Sequence, residues 1–260
     1  MTNPPDHDGR EGPAGRLHSF QSLAAVDGPG LRAAAFLQGC PLRCVYCHNP
    51  DTWDPDPPGT ETVTAEALAQ RFLRYKPYFG VFGGATVSGG EPLFQATFVA
   101  DLFRRLRHLG IHTVLDTAGC LPGPEAAEVL RHTDLVLCDL KFATEEDYRR
   151  YTGGSLATVI RFMDQAEALG VPLRIRHVVV PGLTDRPADL KKITALAQRR
   201  PNLESIEFLP FRKTCAGKYA AMGLPFPAGI YEECTRSALE ESRRNALSAD
   251  NASRITGIDP

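Results

Sequence analysis

Six short apolar segments, each followed by a segment of helical character, most constrain how this 260-residue chain can fold. The sequence predicts strands over 31–38, 85–88, 111–117, 135–140, 172–180 and 205–209, and helices over 64–78, 96–110, 124–131, 144–151, 155–169, 187–199 and 228–246. Strands that alternate with helices pair in parallel through right-handed crossovers. Because six units are too few to close an eight-stranded barrel, we predict an α/β fold with an open, partial (β/α)6 barrel.

The two ends of the chain differ in composition from the segment between them. Residues 1–15 are rich in Pro, Gly and Asp, and the residues from 248 onward are similar, so we predict disordered tails at 1–15 and 248–260 around a single domain at 16–247. The net charge of −2 gives no basic field for nucleic acid. The N-terminus lacks the apolar core of a signal peptide, and no apolar run reaches the ~20 residues of a membrane helix. We therefore expect a cytoplasmic protein with neither nucleic acid nor membrane as a partner.

Three cysteines fall within one eight-residue stretch, at Cys40, Cys44 and Cys47. Three thiolates can hold three irons of a cubane cluster and leave the fourth iron open, whereas electron-transfer clusters are normally closed by four thiolates. An open iron can bind a small molecule and react with it. Two alternatives stay open: buried cysteines that pack as small hydrophobes, and a zinc site completed by His48. His48 follows Cys47 directly, however, and zinc ligands usually arrive as two separated pairs.

Further polar features follow other predicted strands. They are the segment 88–92, the pair Asp116 and Thr117, the pair Asp139 and Lys141, and the stretch after Leu209. The functional loops of parallel sheets lie at the carboxyl ends of the strands. Together with the cysteine loop, these features therefore predict one active site at that edge of the sheet.

Two of these features suit a small ligand that carries an ammonium and a carboxylate. Gly89 and Gly90 let the backbone approach a ligand closely, and Glu91 adds a carboxylate that would hold the ammonium. Lys141 would neutralise the ligand carboxylate. Each feature also has a plainer interpretation, as a tight turn for the two glycines and as a surface ion pair for Asp139 and Lys141.

The segment 27–32, Asp-Gly-Pro-Gly-Leu-Arg, precedes the first predicted strand and is typical of a turn. Its flanking residues, Asp27 and Arg32, would also suit a pair that grips the backbone of an incoming peptide. Arg174 and Arg176 lie on one side of the fifth predicted strand. One of them could meet a carboxylate inside the barrel, although a solvated side explains the pair nearly as well.

The combination of these motifs resembles the pyruvate formate-lyase activating enzymes, which are glycyl-radical-enzyme activases of the radical S-adenosylmethionine superfamily. The resemblance runs in order from about residue 16 to residue 224. It is carried by the segments 18–20, 26–32, 36–40, 47–53, 88–91, 115–117, 139–141, 178–182 and 209–211. It implies a partial (β/α)6 barrel, in agreement with the strand count.

The resemblance also implies which residues bind the cofactors. Cys40, Cys44 and Cys47 would hold a 4Fe-4S cluster whose open iron chelates S-adenosylmethionine. Residues implied to bind the cofactor are Tyr46, His48, Gly89, Gly90, Glu91, Asp116, Asp139, Leu140, Lys141 and Arg212. Asp116, Thr117 and Asp139 match a monovalent-cation site, and Asp27 matches a residue that steadies the partner's glycine loop. Arg212 stands where the family has a histidine, and it is larger and permanently charged.

The implied activity is that of an oxidoreductase of the [formate-C-acetyltransferase]-activating type. Flavodoxin or ferredoxin would reduce the cluster, and the electron would pass into the sulfonium of S-adenosylmethionine. Homolysis would release methionine and a 5′-deoxyadenosyl radical, which takes a hydrogen atom from a glycine α-carbon of pyruvate formate-lyase. Three alternatives are a radical enzyme for a small molecule, an activase for anaerobic ribonucleotide reductase, and a non-catalytic metal-binding module. The segment 27–32 argues against the first two, and the polar strand ends argue against the third.

Overall fold

The computed structural model describes residues 12–246 and the backbone of 255–257. Within these residues one sheet contains nine strands: β1 (Ala14–Ala24), β2 (Arg32–Leu37), β3 (Glu61–Thr64), β4 (Gly84–Gly89), β5 (His112–Thr117), β6 (Leu135–Asp139), β7 (Leu173–Val179), β8 (Leu203–Pro210) and β9 (Ile255–Gly257). Their order is β3-β1-β2-β4-β5-β6-β7-β8-β9. β1 is antiparallel to both of its neighbours, and every other pair is parallel.

Eight α-helices connect the strands in the described part of the chain. They are α1 (Ala65–Tyr75), α2 (Ala96–His108), α3 (Pro124–Arg131), α4 (Glu145–Thr152), α5 (Leu156–Ala168), α6 (Pro187–Gln198), α7 (Ala216–Ala221) and α8 (Arg236–Ala246). Four of them begin at a hydroxyl cap: Thr64, Thr144, Ser155 and Thr235 accept a backbone N–H from the first turn of α1, α4, α5 and α8. Such caps satisfy donors that have no partner within the helix.

The two faces of the sheet differ in what they bury. Ala33 and Leu37 on one face belong to the main apolar core, which the helices cover. On the opposite face Val114, Leu135 and Leu137 form a separate small cluster. Because side chains alternate along a strand, Asp116 and Asp139 share the face of this small cluster. The concave face of the half-barrel is therefore apolar toward the amino ends of the strands and polar toward their carboxyl ends.

The six predicted strands are confirmed as β2, β4, β5, β6, β7 and β8. The edge strands β3 and β9 pair with no further strand among the described residues, so the sheet stays open as the partial barrel requires. Within residues 12–246 and 255–257 no helix is long and apolar enough to cross a membrane.

Three boundaries in the structure differ from those expected from the sequence. β1 begins at Ala14, inside the predicted tail 1–15, because residues 14–17 pair with β3. β9 lies inside the predicted tail 248–260, where its backbone pairs with β8. The last helix begins at Arg236 and not at 228, because Thr235 accepts the N–H of Ala238 and caps it there. Residues 1–11, 247–254 and 258–260 lie outside the described part, and the single domain over 16–247 stays a prediction.

Candidate active site

A cavity of about 190 Å³ lies at the carboxyl end of the parallel strands. Ten predicted site residues line it: Cys40, Cys44, Tyr46, Cys47, His48, Gly89, Gly90, Asp116, Asp139 and Lys141. Thr117, predicted for the cation site, lines it too, together with Leu42, Asn49, Ser88, Ala118 and Val178. Sequence reasoning assigned no ligand role to the last five. Strand alternation could have found Ser88 and Val178, because each lies two residues from an inward-facing position.

Backbone hydrogen bonds hold the cysteine loop on two sides. On one side Gly39 N–H donates to Thr52 O at 2.8 Å. On the other side Arg43 N–H donates to Thr152 O at 2.8 Å, at the end of α4. The guanidinium of Arg43 also donates to the carbonyls of Cys40 and Leu42, both at 2.7 Å. These contacts fix the loop before any ligand binds.

The thiols of the loop are protonated in the metal-free protein near neutral pH. Burial raises the pKa of Cys40 to about 11 and that of Cys44 to about 12, and it also raises the pKa of Cys47. Metal binding must therefore release protons from the site. In the described ranges no three His, Cys, Asp or Glu side chains form a ligand group for a single metal ion. Three unpaired thiols that face one cavity do fit the donor set of a cluster with one open iron.

The paired glycines bring the end of β4 against the start of the cysteine loop. Gly90 N–H donates to Leu37 O at 2.9 Å, and the next N–H donates to Gly39 O at 2.9 Å. A Cβ atom on Gly90 would lie 2.3 Å from Gly39 O. Gly89 has φ of 122°, a conformation that favours glycine. Both positions therefore need glycine for the wall of the cavity to close.

The predicted contact between Glu91 and the cofactor stays a prediction, and the structure gives this side chain a set of protein partners instead. Its side chain is fully buried and does not line the cavity. The carboxylate accepts hydrogen bonds from Thr117 Oγ1 at 2.6 Å, Ala118 N at 2.9 Å and Leu93 N at 3.0 Å. Burial raises the pKa of Glu91, and these donors oppose the rise. Glu91 thus ties the loop after β5 to the turn after β4.

Lys141 and Asp139 form an ion pair inside the cavity, with Nζ 2.6 Å from Oδ2. Burial by itself lowers the pKa of Lys141, but the carboxylate of Asp139 and the neighbouring Cys44 raise it well above its usual value. Lys141 therefore stays charged at neutral pH. Because only 12% of its side chain is exposed, an incoming anion would meet a largely desolvated cation.

Asp116 connects the cavity to the interior of the half-barrel. It accepts a hydrogen bond from Ser88 Oγ at 2.8 Å, and its Oδ1 lies 3.6 Å from Arg176 Nη1. Burial raises the pKa of Asp116 to about 6, although the charge of Arg176 opposes the rise. Of the arginine pair, Arg176 is the one that meets Asp116; both arginines approach Glu207, with Arg176 Nε at 3.6 Å and Arg174 Nη1 at 3.8 Å.

Two further residues that are predicted to contact the cofactor, Leu140 and Arg212, lie outside the cavity lining. Leu140 is fully buried in the main core, because strand alternation points it away from its two charged neighbours. The guanidinium of Arg212 donates to Cys234 O at 2.6 Å and does not line the cavity. The carbonyl of Arg212 lies 3.0 Å from His48 Nε2 instead, so this residue positions the imidazole through its backbone.

Asp27 and Arg32 have different environments. Arg32 is fully buried, and its guanidinium donates to Thr86 Oγ1 at 2.8 Å and to the carbonyl of Pro29. It therefore holds the turn together, in agreement with the turn that the sequence of this segment indicates. Asp27 is partly exposed and lies outside the cavity lining, and burial raises the pKa of its carboxyl.

An open parallel half-barrel with three free thiols at the carboxyl end of its first parallel strand defines a class of enzyme. The family model described as the Radical SAM superfamily matches residues 35–193 of this chain, a range that contains the cysteine loop. A domain of a pyruvate-formate lyase-activating enzyme from Bacteroides vulgatus shares the fold, with a TM-score of 0.55 at 20% identity. The match covers 68% of this chain and 99% of that domain.

Two sequence relatives narrow the class. The pyruvate formate-lyase-activating enzyme of Clostridium pasteurianum is 43% identical over 234 residues, which cover 90% of this chain and 95% of the relative. The enzyme of that name from Staphylococcus epidermidis is 40% identical over 237 residues, covering 88% and 94%. The chain belongs to the pyruvate formate-lyase-activating enzyme family of the Radical SAM superfamily. As a member it uses a 4Fe-4S cluster and S-adenosylmethionine.

Proposed function

We propose that this protein activates pyruvate formate-lyase by removing a hydrogen atom from a glycine α-carbon of that enzyme. The observation that carries the proposal is the convergence of ten predicted residues, three of them free thiols, on one cavity. The names of the two relatives support the choice of partner. When bound, the cluster and S-adenosylmethionine supply the reductive cleavage and the radical chemistry.

In this proposal the residues of the cavity have separate roles. Cys40, Cys44 and Cys47 hold three irons of the cluster as thiolates. Lys141, oriented by Asp139, neutralises the carboxylate of S-adenosylmethionine through a charge-assisted hydrogen bond. Gly89 and Gly90 offer backbone carbonyls to the ammonium group, while Tyr46 and His48 line the adenine side. Asp27 steadies the glycine loop of the partner.

A monovalent cation would be bound beside the cofactor by oxygens of Asp116, Thr117 and Asp139. The buried position of Asp116 supports this role, because a cation would offset the cost of ionising a carboxyl there. We further propose flavodoxin or ferredoxin as the electron donor and the cytoplasm as the location. The free state of all seven cysteines is consistent with a reducing compartment.

The proposal is tested by anaerobic reconstitution with iron and sulfide, followed by reduction with dithionite in the presence of S-adenosylmethionine. We expect 5′-deoxyadenosine to form, and a glycyl radical signal to appear in added pyruvate formate-lyase. Cys44→Ala should abolish both products. Cys138→Ala is the matched control, because that thiol is buried in the main core and should not be required.

Other outcomes would contradict separate parts of the proposal. Cleavage of the cofactor without a radical in pyruvate formate-lyase would reject this partner and keep the chemistry. Normal turnover by Cys44→Ala would reject the cluster ligands. A protein that takes up zinc and neither iron nor sulfide would support the metal-binding module.

A further inference from the structure

Trp53, the only tryptophan of the chain, lies directly beside the cysteine loop but outside the cavity lining. Its carbonyl accepts the N–H of Cys40 at 3.3 Å, and its own N–H donates to Pro50 O at 3.1 Å. The residue is half-buried. The backbone of Trp53 is therefore fixed against the start of the loop that carries the three thiols.

The indole ring of Trp53 is held by contacts with two side chains. The ring of Tyr219 packs edge-on against it, with the centroids 5.9 Å apart, and the guanidinium of Arg43 lies 5.1 Å from its centroid. The hydroxyl of Tyr219 also donates to Cys47 O at 3.2 Å. One tyrosine thus contacts both the indole and the backbone of Cys47, and it keeps the two residues side by side.

The indole also bonds directly to the thiol of Cys47. Burial raises the pKa of this thiol, and the rise is opposed by a hydrogen bond from the Asn49 backbone, by the charge of Lys141 and by a hydrogen bond from the Trp53 side chain. An indole has one donor, Nε1–H, and no acceptor, so the sulfur accepts this hydrogen bond. Trp53 is therefore a neutral donor aimed at a thiol of the candidate site from outside the cavity.

We propose that Trp53 is a positioning residue that acts through Cys47: its N–H donates to the thiolate that holds the cluster and makes the cluster easier to reduce. This inference rests on the proposed role of Cys47 as a cluster ligand. Reduction adds negative charge, and a donor aimed at a ligand sulfur stabilises the more negative state. Because the activity begins with that reduction, a residue outside the cavity contributes to its first step.

Two replacements remove the N–H and keep an aromatic side chain. Trp53→Phe has a smaller ring, whereas benzothienylalanine in place of Trp53 keeps nearly the same size, because sulfur replaces the N–H group. After anaerobic reconstitution, EPR spectroscopy at fixed solution potentials measures the ratio of reduced to oxidised cluster. We expect this ratio at one potential to fall about ten-fold with either replacement, which is about 59 mV for one electron. Iron and sulfide contents should stay at the wild-type value.

Fluorescence gives a second measurement on the wild-type protein, because all tryptophan emission comes from Trp53. We expect assembly of the cluster to quench this emission, since the indole contacts a ligand sulfur. Emission that a fully assembled cluster leaves unchanged would overturn the contact between Trp53 and Cys47.

Tyr151→Phe is the matched control for the potential. Tyr151 also borders the cysteine loop, since its carbonyl accepts the N–H of Val45 at 2.9 Å, and the guanidinium of Arg150 lies 5.1 Å from its ring centroid. This variant should keep the wild-type ratio.

An unchanged ratio with benzothienylalanine would overturn the proposal, and so would an equal fall in Tyr151→Phe. If Trp53→Phe holds no cluster, the result with benzothienylalanine decides. A wild-type protein that assembles no 4Fe-4S cluster would overturn the ligand role of Cys47 and, with it, this inference.

Discussion

The carboxylates near the candidate site differ in their partners, and these partners decide which carboxylate can meet a ligand. Glu91 has three strong donors and no exposed surface. Asp139 faces the cavity and shares one oxygen with Lys141. Asp116 combines both properties. It accepts a hydrogen bond from Ser88 and approaches Arg176, but it also lines the cavity. A buried carboxylate whose donors come from the backbone stabilises a loop, whereas one beside a cavity can exchange partners.

Lys141→Met should weaken the binding of S-adenosylmethionine by about 30-fold, which corresponds to about 2 kcal/mol, because one charge-assisted hydrogen bond is lost. The dissociation constant is measured anaerobically on the reconstituted protein. Lys192→Met is the control, since Lys192 makes an exposed ion pair with Asp189 at 3.8 Å. Wild-type affinity in Lys141→Met would show that another residue neutralises the ligand.

Glu91→Ala should lower the free energy of unfolding of the cofactor-free protein by about 3 kcal/mol, because buried donors lose their acceptor. Glu91→Gln should have a smaller effect, since it keeps one acceptor oxygen. Urea unfolding of the metal-free protein measures both changes. If Glu91→Ala were as stable as the wild type and lost only cofactor affinity, a direct contact would replace the structural role assigned here.

Residue types at strand ends predicted most of the cavity lining, because the carboxyl ends of parallel strands converge. The predicted residues that lie outside the cavity lining differ from the others in the direction of the side chain. Leu140 stands between two cavity residues and points to the core, and Arg212 turns toward Cys234. Alternation along the chain accounts for Leu140, whereas the direction of Arg212 depends on loop geometry, which cannot be read from the residue type.

At the scale of elements, the site is built where β4 ends against the loop that follows β2. Gly90 N–H bonds to Leu37 O, and the loop is anchored on its far side by the end of α4. The contact is made between backbones, with no space for a side chain at Gly90. The shape of the cavity therefore depends on how closely these two elements approach.

Gly90→Ala should destabilise the metal-free protein by about 2 kcal/mol and reduce the iron that it binds, because the new methyl group collides with the carbonyl of Gly39. Urea unfolding and iron content after reconstitution measure the two effects. Gly217→Ala is the control: Gly217 lies in α7 with no heavy atom within 4 Å of an added Cβ. It should be neutral or stabilising by up to about 1 kcal/mol. Full iron uptake by Gly90→Ala would show that the loops can separate without loss of the site.

At the scale of the whole molecule, the predictable part of the fold is its parallel centre. The six central strands are short apolar runs, whereas β1 has an exposed, mixed composition and β3 is a four-residue strand with two exposed residues. β3 is an edge strand, and β1 pairs on both sides but is exposed at several positions, so both lack the apolar signal of fully buried strands. β1 and β3 extend the sheet beyond β2. The strand that leads into the cysteine loop is therefore not an edge strand.

His177 links the two loops that follow β6 and β7, and it should make the stability of the whole fold depend on pH. Its Nδ1 lies 2.8 Å from Leu140 O, and its Nε2 lies 3.1 Å from Thr184 O. Burial lowers its pKa below 6.5; the two carbonyls and Asp139 oppose this change, and Lys141 adds to it. Because the folded pKa is depressed, the unfolded chain takes up the proton first. The contribution of His177 is therefore complete above the unfolded pKa and is lost as pH falls below about 6.5.

His177→Phe should consequently reduce the difference between the free energies of unfolding at about pH 7.5 and about pH 5.5, even if it destabilises the protein at both values. Urea unfolding of the metal-free protein at the two pH values measures this difference. The control is Phe208→Leu, which alters the ring packed 5.9 Å from His177 but removes no titrating group. It should keep the wild-type difference. An equal difference in wild type and His177→Phe would place the acid sensitivity in other histidines, of which His48 and His112 also have pKa values lowered by burial.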